Sequence, residues 1–435
     1  MKHNTVTTYR QATEYLFGQL AVFQRDGGTA YKPGLDTARS LDKAFGSPHT
    51  KYATIHVAGT NGKGSTAHTL AAILQSAGYR TGLYTSPHLV DFRERMRVDG
   101  EMIPEADVVD FVNRYLEMEL PVHPSFFELT MTMAFEFFER SRVDVAVIET
   151  GLGGRLDSTN IITPEVSVIT NISFDHTQFL GDTLEKIASE KAGIIKQGVP
   201  VVVGEAQEGV RSVFECAAKS AGAPIVFAQD EKEIERVVVN KTGTPEYHTA
   251  TFGIIKGELS GEWQHRNAAT VLEAVKLLRG GGFRITDSAV SEGFAGVCRM
   301  TGLAGRWMKV SDNPLTICDT GHNTGGWELL APRLSELSGT KHLVVGFVND
   351  KDIRGVLRIM KTIPDTKFYF AKASVNRALD AGELAEIAAE AGIAGEPCGS
   401  VREAWLAALS ATKPGDVIFV GGSNFVVADF LAGIG

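Results

Sequence analysis

The sequence predicts an α/β protein with two domains, and three observations support this prediction. Strand-like apolar runs alternate with helical patterns in both halves of the 435-residue chain. A glycine-rich loop lies between the first such strand and the helix that follows it. A second glycine-rich stretch, 293–305, separates the two halves, so we place the domains at 1–298 and 299–435.

The first domain is expected to hold a doubly wound, mostly parallel sheet. The segment 143–148 is almost continuously apolar, as a strand covered on both faces should be. The segment 204–263 is more polar and irregular, and is interpreted as an elaboration of this domain. The other predicted elements of the first domain are strands 80–85 and 166–170 and helices Phe126–Arg140 and 268–278. The second domain is smaller, and its predicted strands are Leu315–Asp319, 342–347, 367–371 and 416–420.

Composition argues against several classes of protein. The net charge of −9, from 43 basic and 52 acidic residues, disfavours a nucleic-acid binder, because phosphate affinity depends on accumulated Lys and Arg. No apolar run reaches the length that spans a bilayer, and the polar N-terminus lacks a signal-peptide segment. We therefore expect a cytoplasmic protein with no nucleic-acid or membrane partner. A monomer is the separate expectation for its oligomeric state.

Two smaller features have structural interpretations. The basic residues Arg93, Arg95 and Arg97 alternate with apolar ones, which favours an exposed strand face over an anion site. The cysteines are far apart and form no CxxC pair, so neither a disulfide framework nor a zinc site is indicated. We expect buried, reduced thiols. The four cysteines are Cys216, Cys298, Cys318 and Cys398.

The glycine-rich loop is typical of a phosphate-binding site. Its glycines, Gly59, Gly62 and Gly64, allow backbone N–H groups to approach an anion closely. The N-terminus of the following helix adds partial positive charge, and Lys63 supplies a cation. The loop departs from the common G-x-x-x-x-G-K-[ST] pattern, because Gly64 separates Lys63 from Ser65. The sequence predicts a site for a nucleoside triphosphate; the alternative is a glycine-rich turn without a ligand.

Polar side chains follow three further strands of the predicted sheet. Ser86, Glu149 and the pair Asp175-His176 each come at or after the end of a strand. In open α/β sheets ligands bind beyond the carboxyl ends of the strands, so these groups are expected to converge beside the phosphate loop. Such ligands near a triphosphate suit Mg²⁺. An isolated Glu or His at a strand end is more often a hydrogen-bonded structural residue, but the occurrence of all these groups beside a phosphate loop favours a binding site.

Lys191 lies on the same helical face as three apolar residues, Leu184, Ile187 and Ala188. Spacing alone favours a side chain whose stem lies on apolar surface while its amine reaches water. The alternative is a buried amine, whose pKa desolvation would lower and which would then be nucleophilic.

Together these motifs resemble one family, the folylpolyglutamate synthases and dihydrofolate synthases of the Mur-ligase superfamily, over nearly the whole chain. The resemblance implies a Rossmann-like second domain. It rests on short motifs that occur in the family's order: Gly59-Thr60-Asn61-Gly62-Lys63-Gly64-Ser65, Thr85-Ser86-Pro87-His88-Leu89, Phe127-Glu128, Gly151-Leu152-Gly153-Gly154-Arg155-Leu156-Asp157, Asp175-His176, Glu190-Lys191-Ala192-Gly193-Ile194, Gly305-Arg306, Asp319 with His322-Asn323, and Asp350-Lys351-Asp352.

The resemblance implies a role for each matched position. Lys63, Lys191 and His322 would be catalytic, with Lys191 carbamylated by CO₂. Two Mg²⁺ ions would be ligated by Ser86, Glu149 and His176. ATP would contact the loop Gly59, Thr60, Asn61, Gly62, Lys63, Gly64 and Ser65 together with Asn267, Arg306 and Asp319. The pterin-bearing substrate would be bordered by Phe127, Glu128, Leu156 and Asp157; for the aromatic rings of Phe126 and Phe127, core packing is the open alternative.

The implied activity is ATP-dependent ligation of L-glutamate to dihydropteroate or to folates, through an acyl phosphate. Because Arg306 and Asp319 lie beyond the boundary, both domains are expected to be needed, with closure on ATP. Two departures from the family pattern stand out: Gly321 and Thr324 replace the usual alanine and proline, which should alter loop stiffness, and Trp263 lies where histidine is frequent, near Asn267.

Two other functions remain open at this point. A peptidoglycan-precursor ligase of the same superfamily usually carries a further domain of roughly 100 residues before the phosphate loop, and this loop begins at Gly59. A nucleotide-driven switch ATPase would need the loop but neither the second domain nor the Lys191 region. ATP turnover that does not depend on a pterin and glutamate would favour the switch.

Overall fold

The structure is a computed structural model that describes residues 5–21, 34–240, 244–349 and 352–434. The chain divides into two compact units, Met1–Leu303 and Ala304–Gly435. The division falls at the C-terminal end of the glycine-rich stretch from which the sequence analysis placed a boundary after residue 298. Each unit is an α/β structure, which confirms the predicted fold class.

Unit 1 is built on an eight-stranded sheet. Its strands are β1 (Ala53–Ala58), β2 (Thr81–Tyr84), β3 (Met96–Val98), β4 (Glu101–Met102), β5 (Val145–Glu149), β6 (Val166–Ile169), β7 (Val201–Val203) and β8 (Ile225–Phe227). Their order in the sheet is β4-β3-β2-β5-β1-β6-β7-β8. Six strands run parallel, namely β2, β5, β1, β6, β7 and β8, and β3 and β4 are antiparallel additions at one edge.

Helices cover both faces of this sheet, so it is doubly wound as predicted. The α-helices of unit 1 in the described residues are Tyr9–Gln19, Asp36–Ala44, Lys63–Ser76, Glu105–Glu117, Phe126–Arg140, Thr177–Leu180, Leu184–Ala192, Glu208–Ala221, Ala228–Glu231, Glu262–Gly280, Asp287–Ala295 and Val297–Thr301. Three-residue and four-residue 3₁₀ helices lie at Pro48–Thr50, Phe92–Arg95 and Ser158–Ile161.

Burial explains why the central elements form where they do. Every residue of β5 is buried, as its continuous apolar sequence predicts for a strand covered on both faces. Helix Lys63–Ser76 is buried from Gly64 to Leu74, because it packs between the sheet and helices Glu262–Gly280 and Asp287–Ala295. The helix that follows the glycine loop is therefore enclosed by its neighbours along most of its length.

The helix Phe126–Arg140 occupies the predicted bounds. Ser125 caps it, accepting a hydrogen bond from the Glu128 N–H at 3.3 Å, while the Glu128 carboxylate accepts from the Ser125 N–H at 2.7 Å. This reciprocal capping box satisfies N–H groups that the helix itself leaves unpaired.

The segment 204–263 is only partly an elaboration of the first domain. Its strand β8 extends the main sheet beside β7, so this part belongs to the central architecture. The remainder forms a separate antiparallel sheet in the order β11-β10-β9. The strands of that sheet are β9 (Ile234–Val239), β10 (Pro245–Thr249) and β11 (Gly253–Lys256).

Unit 2 has a six-stranded sheet in the order β12-β13-β17-β14-β15-β16, parallel except for the edge strand β12. Its strands are β12 (Met308–Asp312), β13 (Leu315–Asp319), β14 (Lys341–Val345), β15 (Thr366–Ala371), β16 (Gly395–Cys398) and β17 (Val417–Gly421), and its helices are Thr324–Ser335, Ile353–Met360, Ala381–Glu390, Val401–Ala411 and Asn424–Ile434. The four predicted strands correspond to β13, β14, β15 and β17.

Two expectations about individual side chains were wrong. Arg95 is not on an exposed strand face: it ends the 3₁₀ helix Phe92–Arg95 and is 3% exposed. Its guanidinium lies over the Phe126 ring, and its Nε donates to His88 Nδ1 at 2.7 Å, contacts that compensate for lost hydration. The expectation of buried thiols fails at Cys216, which is exposed on helix Glu208–Ala221. Among the described helices, none combines the length and the apolar content that crossing a bilayer requires.

Candidate active site

Four strand ends of unit 1 lie at one edge of its sheet. Strand β1 pairs in parallel with both β5 and β6, and β2 pairs in parallel with β5. The carboxyl ends of these strands therefore adjoin, and each leads into a segment that the sequence analysis singled out.

The loop after β1 takes its shape from two glycines. Gly59 has φ +144° and Gly62 has φ +86°, values that L-residues with a side chain rarely adopt. Neighbours also exclude a side chain, because a Cβ on Gly59 would collide with Thr170 Oγ1 and one on Gly62 with Asn267 Oδ1. The loop therefore fits only glycine at both positions.

The segment after β6 holds the loop in place. The Thr60 N–H donates to the Asn171 carbonyl at 2.9 Å, and the Asn61 N–H donates to Asn171 Oδ1 at 3.0 Å. Thr170 Oγ1 donates to the Asn61 carbonyl at 2.6 Å, and Thr60 Oγ1 donates to the Ser173 carbonyl at 3.1 Å. This support was not predicted, although three polar residues shortly before Asp175-His176 were a signal for it: Thr170, Asn171 and Ser173.

Two amines meet at one carbonyl of the loop. Lys63 Nζ donates to the carbonyl oxygens of Gly59 and Thr60, both at 3.1 Å. Lys191 Nζ donates to the same Gly59 oxygen at 2.8 Å. Two lysine amines thus lie at the loop in which backbone N–H groups would receive an anion.

Lys191 is buried, with 3% of its surface exposed, and its amine does not reach water as spacing alone suggested. Desolvation by burial, with a smaller contribution from Lys63, lowers the pKa of the Lys191 amine to about 7. Asp175 and Asp157 oppose that shift. A large fraction of the amine is therefore neutral, and nucleophilic, near neutral pH.

Ser86 and Glu149 meet where β2 and β5 end. The Ser86 N–H donates to Glu149 Oε2 at 3.1 Å, and Glu149 is 4% exposed. His176 follows β6 in a left-handed conformation, φ +49°, and its N–H donates to Asp175 Oδ1 at 2.9 Å. Its ring Nε2 lies 3.8 Å from Asp175 Oδ2.

The donor chemistry at this edge fits Mg²⁺. A buried carboxylate and a hydroxyl supply oxygen, and Mg²⁺ usually binds through one or two carboxylates with water and substrate phosphates. Within the described ranges, no three His, Cys, Asp or Glu side chains are grouped closely enough to form a metal site of their own. The Glu149 carboxylate and the Ser86 hydroxyl are ligand types that Mg²⁺ combines with water and substrate phosphates.

Of the four positions predicted to border the substrate, two have strong internal contacts. Glu128 is 2% exposed and its carboxylate accepts hydrogen bonds from both the N–H and the hydroxyl of Ser125. Asp157 Oδ2 accepts from the N–H groups of Gly151 and Leu152, both at 2.8 Å, and burial raises its pKa. Both carboxylates thus accept hydrogen bonds from nearby residues: Glu128 at the start of helix Phe126–Arg140, and Asp157 within the loop after β5.

The other two positions are partly exposed. The ring of Phe127 packs against Tyr84, with 5.8 Å between centroids, and leaves no room for a side chain on Gly151. Leu156 is half-buried. Phe126, by contrast, is 3% exposed and packs among Phe17 and Phe92, so for this ring core packing is the correct explanation.

Asn267 lies against the phosphate loop, beside Gly62. Its Nδ2 donates to Gln264 Oε1 at 2.9 Å, and Gln264 Nε2 donates to Ser65 Oγ at 3.1 Å. Gln264 was not among the predicted site residues. Although Trp263 replaces the histidine that is frequent in the family, hydrogen bonds still connect helix Glu262–Gly280 to the glycine loop.

In unit 2, Asp319 ends β13 as an acceptor for backbone groups. Its carboxylate accepts from the Trp307 N–H at 2.6 Å and from the Gly321 N–H at 2.8 Å. Burial raises the pKa of this carboxyl, while the nearby Arg306 guanidinium lowers it. Arg306 NH1 also donates to the Gly305 carbonyl at 3.3 Å. Asp319 and Arg306 are thus neighbours, as their shared predicted role requires.

The loop after Asp319 carries the remaining predicted residues of unit 2. His322 Nδ1 lies 3.0 Å from the Thr320 carbonyl, so we assign the proton to Nδ1. Asn323 caps helix Thr324–Ser335 by accepting from the Gly326 N–H at 2.8 Å. A Cβ on Gly321 would lie 2.6 Å from Leu330 Cδ1, so the alanine usual at this position would displace that side chain. Asp352 caps helix Ile353–Met360, whereas Asp350 and Lys351 lie outside the described residues.

Two family models match the chain. The Mur ligase middle domain matches residues 57–275, and the Mur ligase glutamate ligase domain matches residues 305–424. These matches fall within unit 1 and unit 2 respectively.

Curated relatives are similar to this chain over most of their length. The dihydrofolate synthase/folylpolyglutamate synthase of Escherichia coli is 35% identical over 86% of this chain and 84% of its own. The folylpolyglutamate synthase of Lacticaseibacillus casei is 31% identical over 89% of this chain and 91% of its own.

Solved structures show the same similarity. Escherichia coli FolC in complex with DHPP and ADP has a TM-score of 0.86 at 32% identity, over 100% of this chain and 99% of that one. A bifunctional folylpolyglutamate synthase/dihydrofolate synthase with Mn, AMPPNP and L-glutamate bound has a TM-score of 0.83 at 30% identity, over 100% of both chains.

Proposed function

Because this chain belongs to the folylpolyglutamate synthase/dihydrofolate synthase family of Mur-type ligases, we propose that it joins L-glutamate to a pterin-bearing carboxylate with ATP as the energy source. The carboxylate belongs to dihydropteroate, to folates that already carry glutamate, or to both; we propose both. A solved relative holds an ATP analogue together with L-glutamate, and another holds ADP together with DHPP, which supports this choice of substrates.

One observation carries the proposal: Lys63 and Lys191 converge on the Gly59 carbonyl, in a glycine loop that opens a buried helix. A loop that only turned the chain would have no need of two amines at one oxygen. The arrangement supplies positive charge, backbone N–H groups and a helix N-terminus at one place, as a triphosphate requires.

The loop would hold the ATP phosphates. In this role Lys63 exchanges its carbonyl acceptors at Gly59 and Thr60 for phosphate oxygens, which are stronger acceptors because they are charged. Asn267 contributes from the side of Gly62. Arg306 and Asp319 of unit 2 are proposed to contact the nucleotide, and His322 to act in catalysis.

We propose that two Mg²⁺ ions bind beside the phosphates. Their protein ligands would be Ser86, Glu149 and His176. Bound there, the metal supplies charge neutralisation for the phosphates during phosphoryl transfer. The Ser86 N–H group fixes one Glu149 oxygen at 3.1 Å, which keeps the carboxylate oriented. A solved relative with Mn and an ATP analogue supports a divalent ion in this family.

Lys191 is proposed to react with CO₂ and become a carbamate. Only the neutral amine attacks CO₂, and burial lowers the pKa of this amine to about 7, so the reactive form is available near neutral pH. The modification puts an anion in place of an amine that repels Lys63 when it is protonated. That change turns a repulsion into an attraction.

The reaction would proceed in two steps. A carboxylate oxygen of the pterin substrate attacks the γ-phosphorus, and ADP leaves, which gives an acyl phosphate. The amine of glutamate then attacks the acyl carbon, and a tetrahedral intermediate loses inorganic phosphate and a proton to give the amide. The protein contributes mainly positioning and charge, through Lys63 and Arg306. Phe127, Glu128, Leu156 and Asp157 are proposed to border the substrate.

The experiment that tests this function is ADP release with dihydropteroate and with tetrahydrofolate, each with and without L-glutamate. We expect turnover only when a pterin substrate and glutamate are both present. A Lys63→Ala variant serves as the inactive control. ADP release that neither pair stimulates would overturn the proposal and favour a nucleotide switch. Turnover with a nucleotide-sugar acid in place of the pterin would favour a peptidoglycan-precursor ligase.

A further inference from the structure

Two segments that flank the candidate site touch through their backbones. A Cβ on Gly154 would lie 2.8 Å from the Glu190 carbonyl oxygen and 2.9 Å from that of Lys191. A Cβ on Gly193 would collide with the backbone of Arg155. The Arg155 N–H donates to the Glu190 carbonyl at 2.7 Å. The loop after β5 is therefore in direct contact with the C-terminal end of helix Leu184–Ala192.

One side chain spans this contact. Asn160 Nδ2 donates to the Arg155 carbonyl at 3.1 Å and to the Gly193 carbonyl at 2.9 Å, so a single amide group connects the loop to the helix end. Asn160 is 4% exposed. Losing the bridge therefore removes the Asn160 hydrogen bond from both carbonyls at once, and with it the side-chain link between the loop and the helix end.

Asn160 is itself held in place by its neighbour. Thr159 Oγ1 donates to Asp157 Oδ1 at 2.5 Å and lies 2.8 Å from His56 Nε2 on β1. The 3₁₀ helix Ser158–Ile161 is thus anchored to the strand that leads into the phosphate loop. The side-chain amide of Asn160, which this helix carries, is therefore held in a defined position relative to Gly59.

We propose that Asn160 is a positioning residue for Lys191: by tying Gly193 to the loop after β5, it fixes the helix end from which the Lys191 amine reaches Gly59. Gly193 is two residues from Lys191, within the same helical turn. The amine–carbonyl distance is 2.8 Å, and a shift of the helix end by one ångström would break this hydrogen bond. This inference rests on the proposed function in one respect only, namely that Lys191 acts in catalysis.

The test compares Asn160→Asp with Asn113→Asp. The first substitution places a carboxylate against two carbonyl oxygens and abolishes the bridge. Asn113 makes a similar backbone bridge to Val6, at 2.9 and 2.8 Å, far along the chain from Lys191, so it is a matched control. Asn160→Ala removes the donors without adding charge, and serves if the aspartate variant does not fold.

The measurement is the rate at which acetic anhydride acetylates Lys191 in the full-length protein, read by peptide mass spectrometry relative to the exposed Lys219. We expect that rate to rise about tenfold in both Asn160 variants, since one hydrogen bond to the amine is lost and the helix end loosens. It should stay unchanged in Asn113→Asp. In the same variants kcat for ADP release should fall about tenfold, while the KM for ATP changes little.

Lys191 reactivity that equals wild type in folded Asn160 variants would overturn the proposal, even if their thermal stability falls. The acetylation rate requires no turnover, so it decides the positioning role independently of the ligase reaction. Failure of the ligase reaction would show itself separately, as wild-type protein without glutamate-dependent ADP release.

Discussion

Lys63 and Lys191 donate to the same carbonyl oxygen, that of Gly59, at 3.1 and 2.8 Å. Both are formally cationic, and one of them is buried, so the arrangement is costly without an anion nearby. The protein accommodates it by lowering the pKa of the buried amine. Lys191, the buried member of this pair, should therefore reduce the stability of the folded protein.

Replacing Lys191 with Met should stabilise the protein, with a gain that depends on pH. The pKa of the amine is about 7 in the folded protein against 10.5 when unperturbed, so unfolding takes up a proton between these values. Burial of Lys191 therefore destabilises the fold most at and below pH 7, by on the order of 4 kcal/mol, and the penalty vanishes as pH approaches 10.5.

Thermal unfolding in CO₂-free buffer at pH 7 and pH 10 measures this effect. The Lys191→Met variant should melt above wild type at pH 7, with a gap that narrows at pH 10. The lost hydrogen bond to Gly59 offsets about 1 kcal/mol of the gain. Lys219→Met is the exposed control. A gap of the same size at both pH values would contradict the assignment.

Glu149→Gln should abolish ligation while the fold is retained. The amide keeps an oxygen acceptor for the Ser86 N–H, so the corner between β2 and β5 stays intact, but the charge that would bind Mg²⁺ is lost. We expect kcat to fall by roughly 10³-fold or more, in line with the loss of a charge that stabilises phosphoryl transfer.

ADP release across a magnesium titration checks this prediction, with Glu165→Gln as control. Glu165 is an exposed carboxylate directly before β6, in the same sheet. Activity of Glu149→Gln close to wild type at ordinary Mg²⁺ would exclude Glu149 as a metal ligand.

Gly62→Ala should be more destabilising than Gly78→Ala, although both glycines have nearly the same backbone angle, φ +86° and +87°. A side chain at either position incurs backbone strain of about 1–2 kcal/mol. Only at Gly62 does the new Cβ also collide with Asn267, whereas at Gly78 nothing lies within 4 Å.

Urea unfolding of both variants separates the two effects. The difference in unfolding free energy between them should be about 1 kcal/mol or more, typical of a forced side-chain displacement. Adding Asn267→Ala to Gly62→Ala should recover part of that difference. Equal costs for the two single substitutions would show that the loop yields freely at Gly62.

Asp319→Asn, a substitution in unit 2, should weaken the binding of ATP. The carboxylate accepts from the N–H groups of Trp307 and Gly321, and an amide can accept at only one of its two ends. We expect the KM for ATP to rise about tenfold. Asp312→Asn, an exposed change on the neighbouring strand β12, is the control. An unchanged KM would remove Asp319 from the proposed nucleotide contacts.

Much of this fold could be predicted because its signals are local. Strand and helix periodicity, the glycine loop and the polar residues at strand ends all lie within short windows of sequence. Parallel strands share an edge, so Ser86 and Glu149 could be expected to meet, and they do. The parallel strands β7 and β8 were not predicted, because each has only three residues and so gives little periodic pattern.

Other features were decided by contacts between distant parts of the chain. Asn171 supports Asn61 across 110 residues, and Lys191 reaches Gly59 across 132. Spacing placed Lys191 on an apolar face but could not say whether its amine reached water. For Arg95 the pattern predicted exposure, yet His88 and the Phe126 ring, brought together by the fold, allow its burial.

The sequence by itself thus determined the class of fold, the glycine loop between β1 and the next helix, and the family to which the chain belongs, because each depends on residue types at short, fixed spacing. Only the tertiary structure decided which groups are removed from water on folding. Only it decided that Lys63 and Lys191 donate to the same carbonyl oxygen, that of Gly59. Desolvation and hydrogen-bond partners depend on what the folded chain packs against a residue, and that is set by the order of the strands in the sheet.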